Sequence, residues 1–262
     1  IQTTDEFADF SKTFPHSDDW GTGDRLAGHF GEYRYYKSKY PNVKLLISVG
    51  GWTRSEKFHE LAASADHRAT FAQSMIDFME KYPFVDGFDI DWEYPCVERP
   101  PTGEDNRGNP AGPEDKENFT LLLKDVRNAF DDAGMEDKML TVAVSAGYEK
   151  IAKTEPDEYH QYLDYIGVMT YDFHGAWDEV TNHHAPIYAN PNDPTPAPKD
   201  EKWNANAALK IFTEEYNVPS EKLLVGTPLY SRGWGGVDSN TGENGMFAQT
   251  DGTDYEGILG TG

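Results

Sequence analysis

The sequence predicts an α/β fold in which parallel strands alternate with helices and form one sheet. Short apolar runs alternate with longer amphipathic stretches, which is the pattern of repeated βα units. Two stretches rich in proline, glycine and aspartate, residues 98–113 and 186–200, follow predicted strands, where a barrel carries its binding loops. An open doubly wound sheet and part of a (β/α)8 barrel both fit this alternation.

The predicted elements follow one another along the chain. The strands are residues 43–49, 85–90, 140–145, 165–170 and 223–228. Two helices each place apolar side chains on one face: Phe71, Met75, Phe78, Met79 and Tyr82, and then Phe119, Leu122, Leu123, Val126 and Phe130. A further helix covers residues 204–216 and ends before Asn217 and Pro219. Residues 1–30 contain no apolar strand and predict a loop that leads into a helix at about residues 30–40.

Composition excludes several classes of partner. Acidic residues outnumber basic ones by 46 to 23, which gives a formal net charge of −23. Such a surface repels phosphate backbones and anionic lipid, so neither nucleic acid nor a membrane surface is expected as a partner. No apolar run is long enough to span a membrane, and Cys96, as the one cysteine, excludes an internal disulfide. Aromatic residues make up 13% of the chain, and they either fill the core or stack on sugar rings.

The segment DGFDIDWEYP, residues 86–95, carries acidic residues at alternate positions. Because side chains alternate faces along a strand, Asp89, Asp91 and Glu93 are expected to share one face. The opposite face then carries Phe88, Ile90 and Trp92 and packs under the helices. The three acids are therefore predicted to point into the interior of a barrel.

This row of acids predicts proton chemistry. Carboxyl groups about 6–7 Å apart along a strand repel one another, so at least one is expected to keep a proton at neutral pH. Glu93 ends the row, where a protonated carboxyl can donate to the leaving oxygen of a glycoside. Asp91 would share a proton with Asp89 and turn toward Glu93 during the reaction. A calcium-binding loop is one alternative, although the apolar residues between the acids argue against it. A structural role, in which arginine or backbone groups hold the acids, is the other, and it suits Asp86.

Four short motifs occur in order along the chain. They are SVGGW at residues 48–52, DGFDIDWE at 86–93, MTYDF at 169–173 and YSRGW at 230–234. In that order they resemble the S-x-G-G, D-x-x-D-x-D-x-E, M-x-Y-D and Y-x-R motifs of glycoside hydrolase family 18, the chitinases. The acidic motif matches at every fixed position, which makes the resemblance specific.

The resemblance implies a TIM (β/α)8 barrel and assigns the predicted strands to barrel strands three to seven. Strands one, two and eight have no counterpart, so residues 1–262 are expected to form a single partial catalytic domain of a longer enzyme. That enzyme is expected to be secreted, with its signal peptide outside this sequence. Residues from about 235 to 262 are expected to begin a small domain inserted after the seventh barrel strand.

The resemblance also implies retaining, substrate-assisted hydrolysis of the β-1,4-N-acetylglucosamine linkages of chitin or chitooligosaccharides. Glu93 would be the general acid/base, and the N-acetyl group of the substrate would be the nucleophile. Asp91, backed by Asp89, and Tyr171 would hold that group in place. Two alternatives stay open, a chitinase-like lectin that binds without cutting and a family relative that cleaves N-glycan cores. Such lectins typically lack the final Glu or an inner Asp, and both are present here.

The remaining candidates are expected to bind the sugar chain. They are Trp52, Tyr94, Met169, Asp172, Trp177, Tyr230 and Arg232. In the family pattern Met169 lines the pocket floor, and Arg232 contacts the sugar. An ion pair between Arg232 and an acid is the alternative.

Other residues near the motifs are interpreted as structural. Ser48, Gly50 and Gly51 are small and would let the strand end approach the site closely. His183 and His184 lack a third ligand at metal spacing and are interpreted as loop surface. No metal or cofactor is expected, and the protein is expected to be a monomer.

Overall fold

The computed structural model describes residues 1–16, 26–103, 105–242 and 244–251. Within them the backbone forms a parallel sheet whose strand order equals the order along the chain. The strands are β1 Leu46–Gly50, β2 Gly87–Asp91, β3 Met139–Ser145, β4 Tyr165–Met169 and β5 Leu223–Val225. Each strand pairs with the next, so this part of the chain has no reversal of order such as a doubly wound sheet contains. The sheet has the strand order of a (β/α)8 barrel, and the predicted α/β architecture is confirmed.

Helices connect the strands and cover one face of the sheet. The α-helices of the described residues are α1 Glu6–Phe10, α2 Gly28–Lys39, α3 Phe58–Ala63, α4 Ala65–Lys81, α5 Asp115–Asp132, α6 Tyr148–Ile151, α7 Pro156–Tyr159, α8 Lys199–Lys202 and α9 Ala205–Lys210. A π-helical turn, Ile211–Glu215, continues α9, and 3-10 turns occupy His160–Tyr162 and Ser220–Lys222. The side chain of Asn204 caps α9 by accepting a hydrogen bond from Ala207 N–H (2.9 Å), so the predicted helix at residues 204–216 is confirmed.

The loop predicted over residues 1–30 contains a helix instead. The Asp5 side chain accepts a hydrogen bond from Ala8 N–H (2.9 Å) and caps α1. Such a cap is a local signal that a pattern of apolar strands does not contain. Phe10 then packs its ring against Phe30 and Tyr82, with ring centroids 4.8 and 5.6 Å apart. The helix predicted at residues 30–40 is α2. Residues 17–25 of the predicted loop lie outside the described residues.

The two faces of the sheet differ in polarity. On the face that the helices cover, Phe88 packs against Phe78 of α4, and Trp92, which follows β2, packs against Phe119 of α5; the ring centroids are 5.8 and 5.9 Å apart. The opposite face carries polar side chains in register: Ser48 of β1, Asp89 of β2 and Thr141 of β3. The acids of β2 therefore point away from the helices, as strand alternation predicts.

Asp86, the first acid of the signature, has a structural position before β2. Its carboxylate accepts hydrogen bonds from Lys37 Nζ (2.6 Å) and Leu45 N–H (2.7 Å), and Lys44 Nζ lies 3.6 Å away. Burial works to raise the pKa of Asp86, but these contacts lower it below its usual range. Asp86 thus connects α2 and the residue before β1 to the start of β2. It does not belong to the row formed by the other acids.

The chain beyond β5 returns to the loop that follows β4. Thr181 N–H donates to Ala248 O (2.9 Å), and Phe247 N–H donates to Thr181 O (3.0 Å). An inserted domain beginning at about residue 235 stays a prediction, and residues 252–262 lie outside the described residues. Among the helices of the described residues, none is long and apolar enough to cross a membrane.

Candidate active site

Asp89 is the inner member of the acid row and is held from both sides. Ser48 Oγ on β1 donates to Asp89 Oδ2 (3.0 Å), and Thr141 Oγ1 on β3 donates to Asp89 Oδ1 (2.6 Å). Both bonds follow from strand register, which places these three residues side by side. Ser48, interpreted from sequence as purely structural, therefore belongs to the hydrogen-bond network of the acids.

Asp91 lies next in the row and differs from Asp89 at one of its carboxyl oxygens. Its Oδ1 is buried without a hydrogen bond, and the Cβ of any larger residue at Gly51 would lie 3.7 Å from Oδ2. Gly50 has φ +111°, and a Cβ there would lie 2.2 Å from Asp91 O, so only glycine allows the ends of β1 and β2 to approach so closely. Burial, followed by the charges of Glu93 and Asp89, raises the pKa of Asp91 to about 7. Asp91 therefore keeps a proton up to neutral pH.

Glu93 follows the end of β2, at the edge where loops meet. Burial raises the pKa of Glu93, and the negative charge of Asp172 adds to this effect. A hydrogen bond with Tyr94 and the positive charges of Arg99 and Lys150 act in the opposite direction without cancelling it. The site thus holds a carboxyl group that retains its proton more strongly than an exposed glutamate.

Tyr94 and Trp52 form an aromatic wall beside Glu93. Their rings meet edge to face, with centroids 6.5 Å apart. Lys150 Nζ lies 4.8 Å from the Tyr94 ring, and Arg99 Cζ lies 3.9 Å from the Trp52 ring. Trp52 remains 49% exposed although the guanidinium group covers part of it. Sequence reasoning missed both cations, since nothing in their local pattern distinguishes them from surface lysines and arginines.

Met169 is the last residue of β4, and Tyr171 follows it within the influence of the acids. Met169 pairs in register with Ser145 of β3, which places it at the end of the strand. Tyr171 lies over Gly226, where a Cβ would come within 2.7 Å of its ring. Burial raises the pKa of Tyr171, and the charges of the acids contribute, that of Asp91 most strongly. The hydroxyl of Tyr171 therefore stays protonated and able to donate.

Asp172 is the centre of a second cluster. Arg232 Nε donates to Asp172 Oδ1 (2.8 Å), which is the ion pair that sequence reasoning gave as the alternative role of Arg232. Burial works to raise the pKa of Asp172, but hydrogen bonds from Arg232 and Tyr230 lower it. Arg232 Cζ also lies 5.3 Å from the ring of Trp177, which is 59% exposed. Tyr171 links this cluster to the acid row, because its ring meets that of Tyr230 edge to face at 6.1 Å.

The interpretation of His184 as loop surface is wrong. Its Nδ1 is buried without a hydrogen bond and lies 3.6 Å from Asp172 Oδ1, and its ring packs 5.3 Å from that of Tyr230. Phe173 N–H donates to His184 O (3.0 Å), which folds the loop back onto the strand end. Contacts across such a loop leave no periodic signal in the sequence. His183 is exposed.

Comparison with known proteins agrees with this geometry. A family model described as glycosyl hydrolases family 18 matches residues 4–260. The chain belongs to this family. Chitinase A1 of Niallia circulans is 40% identical over 236 residues, which cover 88% of this chain and 32% of the relative. This family 18 chain therefore spans about a third of the length of that protein.

Solved structures support the same assignment. Chitinase ChiA74 from Bacillus thuringiensis has a TM-score of 0.82 and 39% identity, covering 98% of this chain and 39% of that one. A family 18 N-acetylglucosaminidase from Paenibacillus barengoltzii has a TM-score of 0.74 and 32% identity, covering 90% and 64%. The family that the four motifs resemble, and the TIM-barrel fold it implies, are thus confirmed for this family 18 chain. Within the described residues, no group of three His, Cys, Asp or Glu side chains is arranged to hold a metal ion.

Proposed function

We propose that this family 18 domain hydrolyses the β-1,4-N-acetylglucosamine linkages of chitin or chitooligosaccharides with retention of configuration. The observation that carries the proposal is the pair of carboxyl groups at the end of β2, Asp91 and Glu93, both with raised pKa values. The relatives named chitinases support the choice of substrate. The reaction is one of the exceptions to the usual two-carboxylate scheme.

In the first step Glu93 gives its proton to the glycosidic oxygen as the bond to the anomeric carbon breaks. The carbonyl oxygen of the substrate's N-acetyl group attacks that carbon and forms an oxazolinium ion. Asp91 Oδ1, which has no partner in the free site, accepts a hydrogen bond from the acetamido N–H. The Tyr171 hydroxyl donates to the acetamido oxygen. These two contacts hold the internal nucleophile close to the carbon it attacks.

In the second step Glu93, now a carboxylate, takes a proton from water. The resulting hydroxide attacks the anomeric carbon and opens the oxazolinium ring, which restores the N-acetyl group and leaves the product in the β configuration. Asp91 and Asp89 share a proton between them, so that Asp91 can carry negative charge while the ring is positive. The bonds from Ser48 and Thr141 keep Asp89 in place during this transfer.

The other candidate residues would bind the sugar chain around this centre. Trp52 and Trp177 each leave about half of their surface open, and flat indole faces suit stacking on sugar rings. Met169 would line the floor, with Tyr94 at the wall and Tyr230 beside Asp172. Arg232 would keep Asp172 ionised and contact the sugar from the same side.

The proposed setting follows from the substrate and the charge of the protein. Chitin is an insoluble polymer, so we place the enzyme outside the cell. We also propose that it acts as a monomer. The net charge of −23 disfavours nucleic acid and anionic membranes as partners.

The direct test replaces Glu93 by Gln in the full-length protein. Turnover of chromogenic chitobiose and chitotriose substrates should fall about 10²- to 10⁴-fold, the usual contribution of a general acid, while chitooligosaccharide binding is kept. Glu117→Gln, an exposed glutamate on α5, is the matched control and should change neither. Retained turnover in Glu93→Gln would exclude the acid assignment.

The same assay separates the alternatives. Binding without turnover in the unaltered protein would indicate a lectin, and faster cleavage of N-glycan cores than of chitotriose would indicate the other enzyme class. A chitooligosaccharide that lacks the N-acetyl group at the cleaved sugar should resist hydrolysis. Equal cleavage of acetylated and deacetylated substrates would rule out the internal nucleophile.

A further inference from the structure

Ser55 lies outside the four motifs and bonds directly to the main chain of Glu93. It is completely buried, at 0% exposure. Ser55 Oγ accepts a hydrogen bond from Glu93 N–H (2.9 Å) and donates one to Gly51 O (2.9 Å). A single hydroxyl thus joins the segment after β1 to the backbone of the proposed acid.

The hydrogen bond from Glu93 N–H to Ser55 continues the pairing of β1 and β2 beyond the last bond between their backbones. The register of β1 and β2 ends with Gly50 opposite Asp91, and Gly51 N–H donates to Asp91 O (2.7 Å) just beyond it. Past that point the Ser55 hydroxyl stands between Glu93 N–H and Gly51 O, accepting from the first and donating to the second. Because a buried backbone N–H needs an acceptor, the Ser55 hydroxyl satisfies it and continues the pairing by one more residue.

The segment after Glu93 is held separately at its far end. Cys96 N–H (3.2 Å) and Gly112 N–H (2.9 Å) both donate to the Asp115 carboxylate, which is completely buried and also contacts His59 Nδ1 (2.7 Å). Asn109 Nδ2 donates to Tyr94 O (2.8 Å), so other residues hold the chain from Tyr94 onward, whereas Ser55 holds the N–H of Glu93 itself. Loss of Ser55 alone should disturb Glu93 more than the rest of the loop.

We propose that Ser55 is a positioning residue for Glu93, and this inference rests on the proposed role of Glu93 as general acid/base. Through the main-chain bond Ser55 sets where the Glu93 side chain begins, and hence the reach of its carboxyl to the glycosidic oxygen. A displacement of about 1 Å at a catalytic group can lower the rate about 100-fold. Two proposed sugar-binding residues, Trp52 and Tyr94, lie next to the joined segments, but each has a main-chain bond of its own. Arg99 donates to Trp52 O, and Asn109 Nδ2 donates to Tyr94 O (2.8 Å), so substrate affinity should be little affected.

The test compares Ser55→Ala and Ser55→Thr in the full-length protein. In Ser55→Ala kcat on a chromogenic chitotriose substrate should fall about 10- to 100-fold with KM within about twofold of the unaltered protein. Ser55→Thr keeps the hydroxyl and should regain most of the loss. If Ser55→Ala does not fold, Ser55→Cys, which keeps the shape but bonds weakly, takes its place with a smaller expected fall.

Thr181→Val is the matched control, because Thr181 makes the same kind of bridge away from the acids. Its Oγ1 accepts from Ala248 N–H (2.9 Å) and donates to Gly245 O (2.6 Å). Thr181→Val should lower the melting temperature about as much as Ser55→Ala but keep kcat. Equal kcat values in these two variants, or a stable Ser55→Thr that stays at the alanine level, would overturn the inference.

Glu93→Gln in the same assay distinguishes failure of this inference from failure of the proposed function. If Glu93→Gln is inactive and Ser55→Ala keeps full kcat, only the role of Ser55 is wrong. If Glu93→Gln still turns over substrate, both proposals fall together.

Discussion

Replacing Asp91 by Asn should stabilise the protein while it removes a residue proposed for catalysis. The pKa of Asp91 is raised from 3.8 to about 7, first by burial and then by the charges of Glu93 and Asp89. At about 1.4 kcal/mol per pH unit, ionising Asp91 in the folded protein costs about 4 kcal/mol more than in the unfolded chain. The amide of Asn has a similar shape and never ionises, so Asp91→Asn should remove this cost.

The stabilisation should depend on pH in a defined direction. Below about pH 4 Asp91 is protonated in both the folded and the unfolded state, so the two proteins should be equally stable. Between pH 4 and 7 the unfolded chain gives up the proton first, so the unaltered protein loses stability as the pH rises. Above about pH 7 the difference in free energy of unfolding should reach its full value of about 4 kcal/mol in favour of Asp91→Asn.

Urea denaturation at about pH 4, 6 and 8 measures this difference, and Asp86→Asn provides a control from the same signature. The pKa of Asp86 is lowered, so its contacts with Lys37 and Leu45 stabilise the protein above the usual carboxyl pKa and less as the pH falls. Asp86→Asn should therefore destabilise the protein by about 2 kcal/mol at pH 8 and leave kcat unchanged. An effect of Asp91→Asn that is equal at pH 4 and pH 8, or a loss of stability at pH 8, would refute the electrostatic reasoning.

Two further variants test the surroundings of Glu93. Lys150→Met removes a positive charge that lowers the pKa of Glu93, so the alkaline limb of the pH profile of kcat should move to higher pH; Lys124→Met, an exposed lysine on α5, should leave the limb in place. Tyr171→Phe removes the proposed donor to the acetamido oxygen, and kcat should fall about 100-fold with little change in KM. A Tyr171→Phe variant that raises KM alone would assign Tyr171 to binding only.

The acid row could be predicted because the signal that reveals it is local. A strand alternates its side chains with a period of two, so Asp89 and Asp91 had to share a face once Phe88 and Ile90 were assigned to the core. The apolar pattern also located the strands, since each predicted run overlaps an observed strand. A local signal that consists of a single residue was missed: the Asp5 side chain caps α1, and no apolar pattern marks it.

The partners of the acids could not be predicted because they come from distant segments. Ser55 and Glu93 are 38 residues apart, and Arg232 and Asp172 are 60 apart. Their contacts depend on how loops fold over the ends of the strands. The spacing of apolar residues predicts strands and helices but not the fold of these loops. His184 was misassigned for the same reason, because its environment is set by a loop that returns to Asp172.

The protonation of Glu93 in the free protein tests the central claim most directly. Nuclear magnetic resonance of the full-length protein labelled with ¹³C at glutamate carboxyls follows each group through a pH titration, and Glu93→Gln identifies the signal of Glu93. The account requires an apparent pKa above the ordinary 4.5, because burial and the charge of Asp172 disfavour the carboxylate. A Glu93 signal that titrates at or below 4.5 would contradict the account, since the residue would then hold no proton to give to the departing sugar.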